Sequence, residues 1–210
     1  ARGDLQLDDE MKLFALMQLM ERDPGRATPL VMDLAQNAES ENTRRDALFL
    51  LASKITHKNI LRIHDLGESD GMSYISMAYV EGKSLADMIR DNPLPGQTAA
   101  GYCRAVAEAI HYAHQHQTLH RDLKPSNVLI DETDQPRVTD FGLAKRLRQD
   151  GGLTATGQIL GTPAYMAPEQ AAGRDRRLSE ATDVYALGAL LYAALTGQAP
   201  HVATSEIDLL

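Results

Sequence analysis

The spacing of apolar residues predicts three helices in the N-terminal quarter of the chain. Apolar positions recur near a 3.6-residue period over residues 11–20, and a Pro-Gly pair at 24–25 interrupts the pattern. A second apolar run covers residues 29–38, and a third segment, from about residue 42 to 55, again places apolar side chains at helical spacing. We therefore expect three successive helices before residue 56.

Near residue 59 the sequence pattern changes from helical to β-type. Two short β-type runs, residues 60–65 and 73–80, flank the turn-forming residues 68–71, which predicts a β-hairpin. Ser84 then has the side chain and position of a helix N-cap, so a short helix should run from there to about residue 90.

The remaining elements follow the same logic. We expect a long helix from about residue 98 to 115 and short strands at 128–130 and 137–139. A long irregular stretch, residues 142–167, should lead to a final helix over residues 182–195 that Gly197 ends.

Composition narrows the function classes. The chain has 210 residues, 43% of them hydrophobic, and a net charge of -8, which argues against nucleic-acid binding because phosphate backbones are held by clustered Lys and Arg. Cys103 is its single cysteine, so no intrachain disulfide can form. No signal peptide or apolar run of membrane-spanning length is present, which predicts a cytoplasmic location, with membrane anchoring of a longer protein as the alternative.

One segment concentrates reactive side chains. Asp122, Lys124 and Asn127 bring a carboxylate, an ammonium and an amide into six residues, and Asp140, Phe141 and Gly142 follow at a fixed distance. A polar turn needs neither the lysine nor the downstream aspartate. The pattern therefore predicts a chemical site.

These residues resemble the catalytic loop and the metal-binding motif of protein kinases. The resemblance implies that Asp122 accepts or orients the substrate hydroxyl proton and that Lys124 offsets charge on the transferred phosphoryl group. It implies that Asn127 and Asp140 hold Mg²⁺, which prefers carboxylate and amide oxygens.

The resemblance runs from about His57 to Pro200 and adds further residues. It implies ATP contacts at Met77, Ala78, Val80 and Leu129, and structural support from His120, Arg121, Phe141, Gly142, Thr162, Glu169 and Asp183. In the family, Glu169 pairs with an arginine of a later helix. Arg121 commonly pairs with a phosphate on the activation loop, where Thr154 and Thr156 are either phosphorylation sites or plain solvated threonines.

The implied fold is α+β and protein-kinase-like, a mostly helical C-terminal lobe with a truncated or replaced N-terminal lobe. We expect a helical segment at residues 1–45, a remnant of the N-terminal lobe at 46–80, and the C-terminal lobe at 81–210. The Asp-Leu-Lys-Pro-Ser-Asn segment around Lys124 resembles the serine/threonine class. Residues 59–67 and 160–170 resemble bacterial receptor-like members of that class. The function expected is transfer of the ATP γ-phosphoryl group to protein Ser/Thr hydroxyls, with a dimer for trans-autophosphorylation as a possible assembly.

The sequence departs from the family where ATP phosphates are held. The glycines before residue 67 are Gly3 and Gly25 alone, so no glycine-rich loop is recognisable. Lys12 lies in helical texture, and Leu48 stands where the family has its helix glutamate. We expect no activity or very weak activity from this chain alone and keep three explanations open: a fragment of a longer kinase, a rearranged gene, or a pseudokinase that acts as a binding module.

Overall fold

A computed structural model describes residues 8–69, 72–141, 163–172 and 178–201. The chain divides into two compact units. The first comprises residues 1–56 and 62–78, and the second comprises residues 57–61 and 79–210.

Three helices open the first unit, as predicted: α1 (Asp9–Arg22), α2 (Pro24–Asn37) and α3 (Glu41–Ser53). The second of them begins at Pro24, earlier than the apolar pattern suggested. The reason is the cap: the Asp23 side chain accepts a hydrogen bond from the Arg26 N–H at 3.2 Å, and proline suits the first helical position. The three helices share a buried core that includes Leu13, Val31 and Leu48.

The predicted hairpin is confirmed with shifted bounds. Strand β1 (Ile63–Ser69) pairs antiparallel with β2 (Met72–Met77), with Leu66 opposite Ile75. The expected first strand began at residue 60, and that part of the prediction is wrong. Ile60 instead forms a parallel bridge with Val138, because the Leu61 N–H donates to the Val138 carbonyl oxygen and the Val138 N–H donates to the Asn59 carbonyl oxygen.

A small antiparallel sheet of order β3-β4-β5 opens the second unit, from β3 (Gly82–Ser84), β4 (Val128–Asp131) and β5 (Pro136–Val138). The last two strands match the prediction, and β3 was not foreseen. Gly82 lies so close to the partner strand that a Cβ there would overlap the Ile130 carbonyl oxygen, which explains the glycine.

Four α-helices occur among the described residues of the second unit: α4 (Leu85–Ile89), α5 (Gly96–Gln115), α6 (Pro168–Ala171) and α7 (Glu180–Thr196). Ser84 caps α4 and Gly197 ends α7 in a left-handed conformation, both as predicted. Helix α5 packs against α7, where buried small and branched side chains such as Val106 and Leu190 let the axes approach. Within the described ranges, no helix has the length and apolarity to cross a bilayer.

Candidate active site

The loop before β4 brings three predicted site residues together. The Asn127 Nδ2 donates to the Asp122 carbonyl oxygen at 2.8 Å and to its Oδ2 at 3.3 Å. The Lys124 Nζ lies 3.1 Å from the same Asp122 Oδ2, and these two side chains are 20% and 21% exposed. A short 3₁₀ helix, Pro125–Asn127, turns the chain from this loop into β4. A carboxylate, an ammonium and an amide thus converge at one partly exposed position.

Asp140 is placed by its neighbour Thr139. The Thr139 N–H donates to the Asn127 carbonyl oxygen at 3.0 Å, and the His120 Nε2–H donates to the Thr139 carbonyl oxygen at 2.9 Å. Asp140 follows directly with an exposed side chain and a φ of +60°, a left-handed conformation that aspartate tolerates better than most residues. The chain therefore leaves β5 at the loop that carries Asp122.

His120 is fully buried and connects the pieces of the site. Burial lowers its pKa, which favours the neutral ring. The neutral ring with its proton on Nε2 can accept at Nδ1, where the Asp122 N–H donates at 3.3 Å. Phe141 is buried as well, with its ring centroid 4.7 Å from that of His120.

Asp183, in the first turn of α7, anchors the backbone of the loop. Its carboxylate is 1% exposed and accepts hydrogen bonds from the His120 and Arg121 N–H groups, each at 2.8 Å. A third contact comes from the His114 Nε2, also at 2.8 Å. The N-terminal end of a helix favours a carboxylate, which adds to these bonds. Arg121 itself has a φ of +65°.

Helix α6 supplies two more contacts. The Glu169 Oε1 accepts a hydrogen bond from the Thr182 hydroxyl at 2.6 Å, which holds the pKa of the glutamate below its usual value. The neighbouring Gln170 donates from Nε2 to the Arg121 carbonyl oxygen at 2.7 Å.

Sequence reasoning missed His114, Thr182 and Gln170. Thr182 and Gln170 are sequence neighbours of Asp183 and Glu169, which the motifs name, whereas His114 reaches Asp183 from another helix. No spacing rule identifies a hydrogen bond between elements that far apart in the chain. Only His114 carries a usable signal, because it occupies the inner face of α5, near the buried Ala113 and Ile110.

The positions where the sequence departs from the family pattern lie in helices of the first unit. Lys12 lies in α1 with its Nζ 2.9 Å from the Asp9 Oδ1, and Leu48 is fully buried in the helical core of the first unit. Of the predicted ATP contacts, Met77 and Ala78 belong to the first unit, whereas Val80 and Leu129 belong to the second. The predicted residues Gly142, Thr154, Thr156 and Thr162 lie outside the described residues.

The donor set for a cation is small. Among the described residues, no group of three or more His, Cys, Asp and Glu side chains could hold a metal ion. Asn127 and Asp140 offer one amide and one carboxylate oxygen. The Asn127 Nδ2 bonds Asp122, and the Asn127 Oδ1, which also lies 3.5 Å from the Ser126 hydroxyl, is the atom of that amide that could bind a cation. That set fits Mg²⁺, which is usually held by one or two side chains together with phosphate oxygens and water.

Comparison with known proteins places this geometry in a family. The family model described as "Protein kinase domain" matches residues 31–209. The chain is 42% identical over 159 residues to the serine/threonine-protein kinase PrkC of Bacillus subtilis, covering 75% of this chain and 24% of that protein. It is 33% identical over 198 residues to the kinase PknB of Mycobacterium leprae, covering 88% of this chain and 32% of that protein.

A solved structure agrees. The crystal structure of the Mycobacterium tuberculosis PknI kinase domain superposes with a TM-score of 0.61 at 30% identity, covering 81% of this chain and 62% of that one. The chain thus spans about a quarter to a third of the length of these two curated relatives.

Proposed function

This chain belongs to the protein kinase family, and we propose that it carries the catalytic loop of a bacterial-type serine/threonine protein kinase. The reaction proposed is transfer of the γ-phosphoryl group of ATP to a Ser or Thr hydroxyl of a protein. The observation that carries this proposal is the convergence of Lys124 and Asn127 on the Asp122 carboxylate. The relatives' names support the serine/threonine class.

The Asp122 carboxylate is the group that orients the substrate hydroxyl and accepts its proton. Phosphoryl transfer passes through a loose transition state, so the protein contributes mainly position and charge. Asn127 fixes the Asp122 side chain through its Nδ2, which leaves the carboxylate partly exposed toward an incoming hydroxyl. Lys124, beside it, offsets negative charge on the phosphoryl group as that group moves.

Asn127 and Asp140 would hold Mg²⁺, as their donor atoms allow. A Mg²⁺ ion held there would supply positive charge that offsets the charge of the ATP phosphates. The role of this chain's residues is to fix the two ligands relative to Asp122, which the Thr139 hydrogen bonds to His120 and Asn127 accomplish. We assign adenine contacts to Met77, Ala78, Val80 and Leu129, and phosphorylation sites to Thr154 and Thr156, as part of the same proposal.

A second candidate is a catalytically impaired module that binds partners. Two observations favour it: Lys12 is exposed on a helix and paired with Asp9, and Leu48 fills a core position where the family has a glutamate. Loss of one preorganised charge-stabilising group typically costs about 10²–10³ in rate. Nucleotide binding and turnover therefore need separate measurements.

The first experiment measures the melting temperature with and without Mg²⁺-ATP. A dissociation constant of ~0.5 mM and ~5 mM ligand would add about 1.4 kcal/mol to the free energy of unfolding, or roughly 3–6 °C. We expect this shift in the wild type, its loss in Asp140→Ala, and its retention in the control Asp91→Ala, an exposed aspartate of the same unit. No shift in the wild type would refute nucleotide binding.

The second experiment measures transfer of labelled phosphate from ATP to a Ser/Thr-containing protein. Asp122→Asn should abolish transfer and keep the Mg²⁺-ATP shift, because that carboxylate acts on the hydroxyl and not on the metal. A shift without any wild-type transfer would favour the second candidate. Transfer that survives Asp122→Asn would refute the role given to Asp122.

A further inference from the structure

Arg121 adopts a backbone conformation that its surroundings must enforce. Its φ of +65° is uncommon for a residue with a Cβ, and it directly precedes Asp122. Strained residues of this kind persist only where neighbouring groups hold them. The peptide between Arg121 and Asp122 sets the direction in which the Asp122 side chain leaves the backbone.

Two hydrogen bonds hold Arg121, one on each side. Its N–H donates to the Asp183 Oδ1 at 2.8 Å, and its carbonyl oxygen accepts from the Gln170 Nε2 at 2.7 Å. The second bond fixes the plane of the Arg121–Asp122 peptide. The N–H of the same peptide, which belongs to Asp122, donates a hydrogen bond to the His120 Nδ1.

Gln170 is itself held at both ends. Its Oε1 accepts from the Ala167 N–H at 3.2 Å, so the side chain is stretched between the start of α6 and the loop. The adjacent Glu169 bonds Thr182, which precedes Asp183 in α7. The Arg121–Asp183, Thr182–Glu169 and Gln170–Arg121 hydrogen bonds, together with the peptide links 182–183 and 169–170, therefore form a closed ring.

We infer that Gln170 is a positioning residue for Asp122: by holding the Arg121 carbonyl oxygen, it sets the backbone conformation that directs the Asp122 carboxylate. The catalytic consequence rests on the proposed function; the geometric one does not. Both hydrogen bonds of the Gln170 side chain go to backbone groups, those of Ala167 and Arg121, so its effect on Asp122 passes through the peptide. A small misplacement of a reacting group can cost about 10²-fold in rate.

The deciding variant is Gln170→Glu. A carboxylate keeps the acceptor for the Ala167 N–H and the size of the side chain, but it has no donor for the Arg121 carbonyl oxygen. If Gln170 serves only as a cap of α6, this change is silent. Gln170→Met, which removes donor and acceptor together, is the second variant, and Gln198→Glu, at an exposed position after α7, is the matched control.

The first readout is NMR and needs no activity. In Gln170→Glu and Gln170→Met, the carbonyl ¹³C signal of Arg121 and the amide ¹⁵N signal of Asp122 should shift, and their amide exchange should accelerate at least tenfold. Gln198→Glu should leave both as in the wild type. Unchanged signals in Gln170→Glu would overturn the inference.

The second readout is the steady-state kinetics of the full chain. The Mg²⁺-ATP melting shift is measured alongside as a check on nucleotide binding. We expect kcat to fall about 10–100-fold in Gln170→Glu, with the KM for ATP and the melting shift unchanged. If Gln170→Glu lost kcat and the Mg²⁺-ATP melting shift to the same extent, the variant would have loosened the site as a whole. That result would overturn the positioning role. If the wild type transfers no phosphate, the proposed function fails, and the NMR readout alone decides whether Gln170 sets the loop.

Discussion

Replacement of Asp183 by asparagine should destabilise the second unit strongly, because one buried carboxylate serves three donors. The His120 N–H, the Arg121 N–H and the His114 ring nitrogen each lie 2.8 Å from its oxygens. An amide keeps one acceptor oxygen and turns a donor toward the remaining donors. The change therefore removes bonds and also leaves buried polar groups without acceptors.

The magnitude follows from the burial of the group. Asp183 is 1% exposed, and removal of one partner of a buried charged contact costs about 3–5 kcal/mol. At about 2–4 °C per kcal/mol for a domain of this size, the melting temperature should fall by roughly 6–20 °C. That loss is a large fraction of the about 5–15 kcal/mol by which native proteins are stable.

Scanning calorimetry measures the melting temperature, and hydrogen exchange followed by mass spectrometry locates the change. We expect peptides that contain His120 and Arg121 to lose protection first. The control is Asp91→Asn, the same substitution at an exposed position of the same unit, where an effect within about 0.5 kcal/mol is expected. Matching melting temperatures for the two variants would refute the claim that Asp183 anchors the loop.

Two further predictions concern pH and a helix terminus. Burial lowers the pKa of His120 below its ordinary 6.5, so the unfolded chain binds more protons than the native one as the pH falls below that value. The free energy of unfolding should then decrease by up to about 1.4 kcal/mol for each pH unit below pH ~6.5. His120→Gln should flatten that slope, whereas His111→Gln, at an exposed position, should not. Equal slopes in all three proteins would contradict the assignment. Gly197→Ala should lower the free energy of unfolding by about 1–2 kcal/mol because φ is +71° there. Gly101→Ala should stabilise α5, because nothing lies within 4 Å of the added Cβ. A neutral Gly197→Ala in thermal melts would argue against the left-handed cap.

The elements that the sequence predicted well are those with a local cause. Helices α1–α3 and α5 follow from apolar spacing, and Ser84 and Gly197 act as the caps that their residue types indicate. The strand β3 was missed because three residues are too few to show a period. Ile60 was assigned to the wrong partner, since an apolar residue in a short β-type run does not specify which strand it joins.

The residues of the candidate site show the same division between those with a local signal in the sequence and those held by distant contacts. Asp122, Lys124 and Asn127 are neighbours in the chain, and the structure brings them together as expected. Their supports come from residues 49 and 62 positions away from Arg121, namely Gln170 and Asp183. Asp183 could be named because it lies in a segment that resembles a family motif, whereas Gln170, Thr182 and His114 could not, because contacts between distant elements leave no pattern in a single sequence.

The two left-handed residues of the site show why those distant supports matter. Arg121 and Asp140 each stand next to a residue that is tied on both sides, Arg121 beside His120 and Asp140 beside Thr139. Each such conformation costs about 1–3 kcal/mol, and the hydrogen bonds inside the loop are joined by bonds from outside it. The energy comes from buried hydrogen bonds to α6, α7 and β5. The loop sequence thus supplies the chemistry, and the packing of the helices around it supplies the geometry on which that chemistry depends.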